Sequence, residues 1–230
     1  MDTVVRVGAG RLRPRTLVLT FDDGPGATVG AGPGPRTLEL AQYLATEQIS
    51  ATFFMCGKHV EVHPQIPAQV LSLGHQVGSH AWSHTPLPNL DDRAIRGELL
   101  ATRRLLAECG VEGPIPLRPP YGLWDERTEA VVVADAELAS GHSAVYLWNV
   151  NAGDWRFWAE RGSTHECAEE YVRAALESDG GVVLMHDSSA DPGSVGEQMR
   201  AGNAVLDMVM LLVPMLRAEG FAFAPLTAVD

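Results

Sequence analysis

Short apolar runs alternate with helix-like segments along the whole of this 230-residue sequence. Turn residues bound the runs, as is typical of strands. The predicted strands are 16–21, 51–55, 75–78, 115–118, 144–150, 181–185 and 221–224. Because parallel neighbours need long crossover connections, this alternation predicts an α/β fold with about seven mostly parallel strands. Continuous apolar runs such as VVLM at 182–185 are typical of strands covered on both faces.

Helical periodicity supports the same architecture. Apolar residues fall on one face of 36–48, and Asp91 with Asp92 precedes an apolar stripe within 91–109, where an acidic residue caps a helix well. Further helices are predicted at 64–73, 125–138, 166–177 and 197–219. The pattern fits either a distorted (β/α) barrel or an open doubly wound sheet. In both architectures the chemistry gathers where the strands end.

Length and composition favour a single domain over 1–230, since no linker-like tract and no fixed repeat interrupts the 46% apolar chain. The three cysteines, Cys56, Cys109 and Cys167, are far apart and odd in number, so neither a disulfide framework nor a cysteine zinc site is expected. Cys56 and Cys109 are predicted to be small buried hydrophobic residues.

The formal net charge of −12 argues against a nucleic-acid or anionic-membrane partner, because phosphate binding depends on lysine and arginine. The most apolar stretch, 205–216, contains Asp207 and Pro214 and is too short to span a bilayer. The first residues lack the apolar core of a signal peptide. We therefore expect a cytoplasmic protein; a chain trimmed of a leader, and so extracellular, would have the same sequence.

Polar and titratable residues follow nearly every predicted strand. These segments are Asp22–Pro25, Ser79–His84, Arg118–Gly122, Asn151–Trp155 and His186–Asp187. Parallel strands present such residues at one edge of the sheet. The sequence therefore predicts a polar site at the carboxyl ends of the strands.

The spacing of His80 and His84 places two imidazoles one helical turn apart, or in a tight loop that converges on one ion. The spacing alone is a weak signal, because surface histidines share it. A carboxylate from another strand end would complete a two-histidine, one-carboxylate site, which is a recurrent open metal site.

Asp22 and Asp23 are adjacent at the end of the first predicted strand. Neighbours on a strand point to opposite sides, so two roles are expected unless the following Gly-Pro turn reorients them. One carboxylate would hold a metal and the other would act as a general base. The alternative is a turn in which both carboxylates accept backbone N–H groups.

Five segments occur in the order of the motifs of polysaccharide deacetylases. They are TFDDGP at 20–25, HAWSH at 80–84, RPPYG at 118–122, DW at 154–155 and LMH at 184–186. Over about 16–226 the sequence resembles this NodB-homology group, carbohydrate esterase family 4. The resemblance implies a distorted (β/α) barrel and metal-dependent removal of an N-acetyl, sometimes O-acetyl, group from a sugar such as a chitin oligomer or peptidoglycan.

The resemblance also implies individual roles. Asp23, His80 and His84 match the metal ligands, and Asp22 matches the general base. Zinc suits these ligands best, although Co²⁺, Ni²⁺ or Fe²⁺ fits the same set.

On the acid side of the reaction, His186 matches the general acid, Asp154 the carboxylate that pairs with it, and Arg118 the residue that orients the base. The sequence departs from the family pattern at two places. Ala81 replaces the usual hydroxyl residue of the histidine motif, and Asn151 replaces an aspartate in the fourth motif. Both departures bear on loop order and substrate fit.

By the same resemblance, the backbone N–H of Tyr121 would hold the oxyanion, Leu184 would line the acetyl-methyl pocket and Trp155 would form a wall of the groove. Two loops are unusual. The glycine-rich 26–37 is interpreted as a flexible rim rather than a nucleotide loop, since it lacks a Walker lysine and GxGxxG spacing. The segment 156–170 carries three residues that either stack on a ligand or pack beneath a loop: Phe157, Trp158 and His165.

Two other functions remain open at this point. The absence of a leader and the two unusual loops also suit a deacylase of a small acetylated metabolite or glycoside. Less favoured is a sugar-binding module whose catalytic site has decayed on a retained fold.

Overall fold

The computed structural model describes residues 10–28 and 33–229, together with the backbone of 5–6. Its strands form one eight-stranded sheet in the order β1-β6-β5-β4-β3-β2-β7, with β8 beside β2. The strands are β1 Val5–Arg6, β2 Thr16–Asp22, β3 Thr52–Met55, β4 Gln76–Ser79, β5 Ile115–Leu117, β6 His142–Tyr146, β7 Gly180–His186 and β8 Ala222–Phe223. Every pairing between these strands is parallel, as the sequence predicts.

The sheet curls into a distorted barrel because the chain beyond β6 reaches β7. Val150 forms an isolated parallel bridge with Val183. The Val150 N–H donates to Val182 O over 3.1 Å, and Leu184 N–H donates to Val150 O over 2.9 Å. The predicted strand 144–150 is therefore split: β6 ends at Tyr146, and pairing resumes only at Val150. The predicted fold class is confirmed.

Helices connect the strands. They are α1 Thr37–Thr46, α2 Gly57–Val62, α3 Ile66–Ser72, α4 Asp92–Glu108, α5 Glu126–Ala134, α6 Ala136–Gly141, α7 Asp154–Glu160, α8 Thr164–Ser178, α9 Ser194–Gly202 and α10 Val205–Ala218. The predicted cap of α4 is confirmed, since Asp91 Oδ1 accepts the Ala94 N–H over 2.8 Å. The short helices α2 and α7 are absent from the sequence-based prediction.

Two predicted helices are each broken into two. The helix expected over 125–138 breaks at Asp135, whose side chain accepts the backbone N–H groups of Glu137 and Leu138 and starts α6. The helix expected over 197–219 breaks at Asn203, whose side-chain oxygen accepts the Val205 N–H. Asp and Asn offer the backbone such local alternatives to a continuous helix, and hydrophobic periodicity does not detect them.

The alternation of β2 separates the core into two layers. Leu17, Leu19 and Phe21 pack outward against the helices. Val18 packs inward with buried residues of the other strands, including Phe54. Side chains two and four residues beyond Val18 share its face, so Asp22 points into the mouth of the barrel.

The prediction that Cys56 and Cys109 are buried is confirmed for Cys56 only. Cys56 and Cys167 are buried, whereas Cys109 is only half-buried, and all three are free. Cys109 is not fully buried because it caps the carboxyl end of α4, beyond Leu106, the last buried residue of that helix.

Within the described part of the chain, no single helix is long and apolar enough to cross a membrane; α9 and α10 reach that length and composition only as a pair bent by 56°.

Candidate active site

Asp22 and Asp23 both face one cavity of about 320 Å³ at the carboxyl ends of the strands. Asp22 is the last residue of β2, and Asp23 follows it with a left-handed φ of 75°. This backbone turn breaks the alternation of the strand, so the second carboxylate joins the first instead of pointing away. Both residues are only 3% exposed. Two carboxylates in one buried cavity need cationic partners.

Arg118 is the cationic partner of Asp22. Its Nη1 donates to Asp22 Oδ1 over 2.8 Å, and its Nε donates to the carbonyl of Tyr146 over 3.0 Å. The guanidinium, fully buried, lies 4.2 Å from the centre of the Phe54 ring. Burial lowers the pKa of Arg118, and the charge of Asp22 opposes that shift. Arg118 therefore occupies Asp22 Oδ1 and leaves Oδ2 directed into the cavity.

Asp23, His80 and His84 bring one ligand atom each to within 4.8 Å of one another. Asp23 Oδ1 lies 3.5 Å from His80 Nε2 and 3.2 Å from His84 Nε2. Among the described residues, this buried Oδ1 has no hydrogen-bond partner. An orphaned carboxylate oxygen between two imidazole nitrogens fits a divalent cation, and two histidines with one carboxylate leave coordination positions open.

The second ring nitrogen of each of these histidines is already engaged. His80 Nδ1 donates to the carbonyl of Arg118 over 2.7 Å. His84 Nδ1 donates to Asp191 Oδ1 over 2.8 Å. Since carbonyl and carboxylate oxygens only accept, the proton of each neutral ring lies on Nδ1. Both Nε2 atoms therefore present a lone pair toward Asp23, which is the arrangement of metal-binding histidines.

The loop that carries these histidines is held by Glu98 of α4. Glu98 Oε2 accepts the backbone N–H groups of Trp82 and Ser83 over 2.9 and 2.8 Å, and Oε1 accepts the Ser83 hydroxyl over 2.7 Å. Ala81 stands where the histidine motif usually has a residue with a hydroxyl group. It is fully buried and has a left-handed φ of 58°. Ser83 and Glu98 thus supply the loop with polar anchoring that Ala81 lacks.

His186 and Asp154 form the opposite side of the cavity. His186 Nδ1 donates to Asp154 Oδ1 over 2.8 Å, and the His186 backbone N–H donates to Oδ2 over 2.7 Å. Asp154 is fully buried. Burial lowers the pKa of His186, but the charge and hydrogen bond of Asp154 outweigh it and raise the pKa to about 10. His186 is therefore an imidazolium at neutral pH.

The sheet register places this histidine beside Asp22. Asp22 of β2 and His186 of β7 are direct partners across the parallel ladder. Cross-strand partners point to the same face of a sheet, so a carboxylate and an imidazolium share the mouth of the barrel. The site thus contains a proton acceptor and a proton donor on neighbouring strands.

The remaining predicted site residues also lie at this cavity. Leu184, Trp155 and Tyr121 line it, with Trp155 43% and Tyr121 50% exposed. Tyr121 has a left-handed φ of 58°, and its hydroxyl donates to Asp191 Oδ1 over 2.5 Å. Burial and the hydrogen bond to Asp191 raise the pKa of this phenol.

The open question about 156–170 is settled against ligand stacking for one residue. Trp158 is 1% exposed and packs in the main core, and its Nε1 lies 3.3 Å from Asp154 Oδ2. Phe157 packs against the same core. His165 is exposed, 3.5 Å from Glu169 on α8. Trp158 thus contacts Asp154, the partner of His186, from the core of the protein.

Two other unusual features of the sequence are Asn151 and the glycine-rich segment 26–37. Asn151, at the edge of the cavity, accepts the Gly153 N–H over 2.8 Å and shapes the turn that leads into α7. In the glycine-rich rim, Ala27 and Arg36 form an antiparallel bridge, and 29–32 lie outside the described residues.

Four residues near the cavity are not among the site residues predicted from the sequence motifs. Glu98 and Asp191 contact the histidine loop as described above. His59 Nδ1 lies 2.6 Å from the backbone oxygen of Asp23. Asp187 is buried and accepts the Thr37 hydroxyl, and burial raises its pKa to about 7. Of these, only Asp187 stands in a strand-end segment that the sequence singles out.

A parallel barrel with a histidine–carboxylate cluster, a further buried carboxylate and a histidine–aspartate pair at its strand ends is typical of hydrolytic enzymes. The family model for polysaccharide deacetylase matches residues 9–138, which include Asp22, Asp23, both cluster histidines and Arg118. The chain belongs to the polysaccharide deacetylase family. His186 and Asp154 lie beyond the matched segment, and their hydrogen-bonded pairing at the same cavity is an observation of the structure.

Similar proteins agree with this membership. The chain is 30% identical over 221 residues to a chitooligosaccharide deacetylase of Bradyrhizobium sp. (strain ANU 289), covering 92% of this chain and 89% of that protein. It is 27% identical over 209 residues to a peptidoglycan-N-acetylglucosamine deacetylase of Bacillus cereus, covering 91% and 85%. The chitin deacetylase of Colletotrichum lindemuthianum shares the fold, with a TM-score of 0.74 and 21% identity over 98% of this chain and 91% of that one.

Proposed function

We propose that this chain is a metal-dependent deacetylase that hydrolyses the N-acetyl group of an N-acetylated amino sugar, within a chitin oligomer, peptidoglycan or a related glycan. One observation carries the proposal. A single cavity combines the Asp23–His80–His84 cluster with the buried carboxylate of Asp22 and the imidazolium of His186. The names of the similar proteins support the substrate class.

Asp23 Oδ1 and the Nε2 atoms of His80 and His84 would hold one divalent ion, for which zinc is the best candidate. When bound, such an ion lowers the pKa of a coordinated water and polarises the acetyl carbonyl. Asp22 receives the water proton at Oδ2, because Arg118 occupies Oδ1. Arg118 thereby orients the base as well as stabilising its charge.

Water adds to the acetyl carbonyl carbon, and the bond from that carbon to the sugar nitrogen then breaks. The nitrogen leaves as an amine and needs a proton, which His186 donates from Nε2 while Asp154 holds Nδ1. The products are acetate and a free amino sugar. The backbone N–H of Tyr121 stabilises the oxyanion, and Leu184 contacts the acetyl methyl group.

The exposed aromatic rings suit a sugar. Trp155 and Tyr121 rise at the edge of the cavity with about half of their surfaces exposed. Aromatic faces pack against apolar surface while leaving polar groups wet, as a carbohydrate requires. Within the described residues, the cavity opens to solvent beside these rings, so a chain of sugars would extend across them.

The direct test is acetate release by the purified chain, loaded with zinc, from a chitin tetramer, from peptidoglycan and from monomeric N-acetylglucosamine. We expect turnover on at least one polymer and about one ion per chain. Asp23→Ala should lose the ion and the activity together, whereas Asp207→Asn on the exposed face of α10 should retain both. Undiminished acetate release by an ion-free Asp23→Ala protein would overturn the mechanism. A preference for the monomer would favour the small-metabolite alternative.

A further inference from the structure

Asp191 contacts two residues of the site that belong to different sequence motifs, His84 and Tyr121. Its Oδ1 accepts a hydrogen bond from His84 Nδ1 over 2.8 Å and a second from the Tyr121 hydroxyl over 2.5 Å. The His84 and Tyr121 rings are in contact, with centroids 4.5 Å apart. One carboxylate oxygen therefore joins a cluster histidine to the aromatic residue at the rim.

Both partners of Asp191 have a backbone conformation that non-glycine residues seldom adopt. The φ angle is 66° at His84 and 58° at Tyr121. Such residues keep a left-handed conformation only when surrounding contacts hold them there. The two hydrogen bonds to Asp191 are contacts of this kind, and they act on side chains that line the cavity.

We propose that Asp191 is a positioning residue that orients the metal ligand His84 and the Tyr121 loop as one unit. The inference rests on the proposed function and adds to it a link between metal binding and the oxyanion end of the cavity. Asp191 does not touch the reacting atoms. It acts through His84, whose Nε2 faces Asp23, and through Tyr121, which lines the same cavity and to whose backbone N–H the proposed function assigns the oxyanion.

The chemistry of a carboxylate suits this role. An ionised carboxylate only accepts hydrogen bonds, so it holds His84 in the tautomer that leaves Nε2 free. Asp191 is half-exposed, and its segment begins α9 after the Pro192–Gly193 turn, so its position is independent of the histidine loop. The His84 ring is thus held by a residue from a different part of the fold, the segment that precedes α9.

The first test measures metal binding instead of turnover. Loss of the outer partner of a metal-bound histidine lowers metal affinity about 10- to 100-fold. We expect Asp191→Ala to weaken Zn²⁺ and Co²⁺ binding in that range, measured by competition with a chelator. The absorption spectrum of the Co²⁺-loaded protein should change as well, because the geometry of one ligand changes. Asp191→Asn, which keeps one acceptor oxygen, should lose less affinity.

The second test separates the two links. Tyr121→Phe keeps the backbone N–H and removes only the hydroxyl, so it should lower kcat while leaving metal affinity near that of the unmodified chain. In the Asp191→Ala background the same change should have little further effect on kcat, because the hydroxyl has already lost its acceptor. A matched control is Glu197→Gln on α9, which removes an exposed carboxylate that makes no hydrogen bond among the described residues.

The outcomes are distinguishable. Full metal affinity, an unchanged Co²⁺ spectrum and an unchanged kcat in both Asp191→Asn and Asp191→Ala would overturn the inference and leave the proposed function standing. Additive effects of Tyr121→Phe and Asp191→Ala would overturn the link between the two loops. If the unmodified chain binds neither ion, the proposed function fails and this inference fails with it. Asp191→Asn decides the question if Asp191→Ala does not fold.

Discussion

The two histidine-bearing sides of the cavity are constructed differently. On one side, His80 and His84 stand in a loop, and their Nδ1 partners are a neutral carbonyl and a half-exposed carboxylate. On the other side, His186 ends a strand, and its Nδ1 partner Asp154 is a fully buried carboxylate. A charge in a low-dielectric interior stabilises a neighbouring imidazolium far more than a neutral or solvated group does.

Under the proposed function, the two surroundings prepare one residue type for two tasks. His186 is held as a proton donor by a buried negative charge. His80 and His84 are held with both Nε2 atoms directed toward the orphaned Asp23 oxygen, where a cation would take the place of protons. The partner of Nδ1 and the group that faces Nε2 together decide the role of each histidine.

The largest effect is expected from removing one histidine on each side. His84→Ala should lose the ion and, with it, all measurable deacetylation. His186→Ala should keep the ion and lose about 10²- to 10⁴-fold in kcat, the usual contribution of a general acid. Metal analysis and acetate release on the same preparations test both. Loss of the ion from His186→Ala would mean that the two sides do not have separate roles.

The next effect concerns the proton on His186. Asp154 raises the pKa of His186 above its ordinary value of 6.5, so activity that needs its proton should persist well above pH 6.5. In Asp154→Asn the raising charge is gone and burial, which lowers the pKa, remains. The alkaline limb of the pH–kcat profile should then move down by more than about two units. An unmoved limb would show that another group supplies the proton.

The same pair makes a prediction for stability. Because the pKa of His186 is higher in the folded chain, its contribution to folding is complete below pH 6.5 and is lost as pH rises through about 10. The unfolding free energy of the unmodified chain should therefore fall across this window. Denaturant titrations at several pH values should show a smaller fall for Asp154→Asn. An identical fall in both proteins would contradict this linkage.

A smaller effect is expected from weakening the hydrogen bonds by which Glu98 holds the loop of His80 and His84. Glu98→Gln keeps the shape of the side chain but weakens three hydrogen bonds to the Trp82–Ser83 segment, and hydrogen bonds to charged groups contribute about 1.5–3 kcal/mol. We expect lower metal affinity with the pH–kcat profile unchanged. Glu108→Gln, on the exposed face of the same helix, is the matched control. A shifted alkaline limb in Glu98→Gln would show that the two sides are coupled.

The smallest effect is the influence of the metal on His186. The charges of Asp23 and Asp22 contribute to the raised pKa of His186 after the larger effect of Asp154. Zinc bound at Asp23 should offset part of that negative charge and lower the pKa, by less than Asp154→Asn does. Imidazole proton signals followed by NMR against pH, with and without zinc, measure the shift. A pKa that rises on adding zinc would contradict the assigned geometry.

The fold class and the location of the site could be predicted from sequence because both depend on local patterns, whereas the individual roles rest on the family resemblance. Apolar runs mark the strands, turn residues mark their ends, and parallel strands bring those ends together. Nine of the ten predicted site residues belong to the strand-end segments, and the tenth, Leu184, lies in the strand that leads into one of them. The structure places each of them at one cavity or in direct contact with a residue that lines it.

What sequence patterns miss are contacts between distant segments. Asp191 is 107 residues from His84 along the chain, and Glu98, on α4, is 15 residues from Ser83 of the histidine loop. The sequence left open whether Trp158 stacks on a ligand or packs beneath a loop, and only the structure shows that it is buried in the main core. None of these contacts has a periodicity or a spacing that a sequence displays.

The sequence by itself determined which chemical groups stand at the ends of the strands and in what order. Only the tertiary structure decided that Asp22 and Asp23 share one cavity, because the left-handed turn at Asp23 reverses the alternation of the strand. Only the pairing of β2 with β7 sets His186 beside Asp22, since that register joins strands from opposite ends of the chain. Local propensity follows neighbouring residues, whereas the role of a titratable group follows from the charges that folding brings within a few ångströms of it.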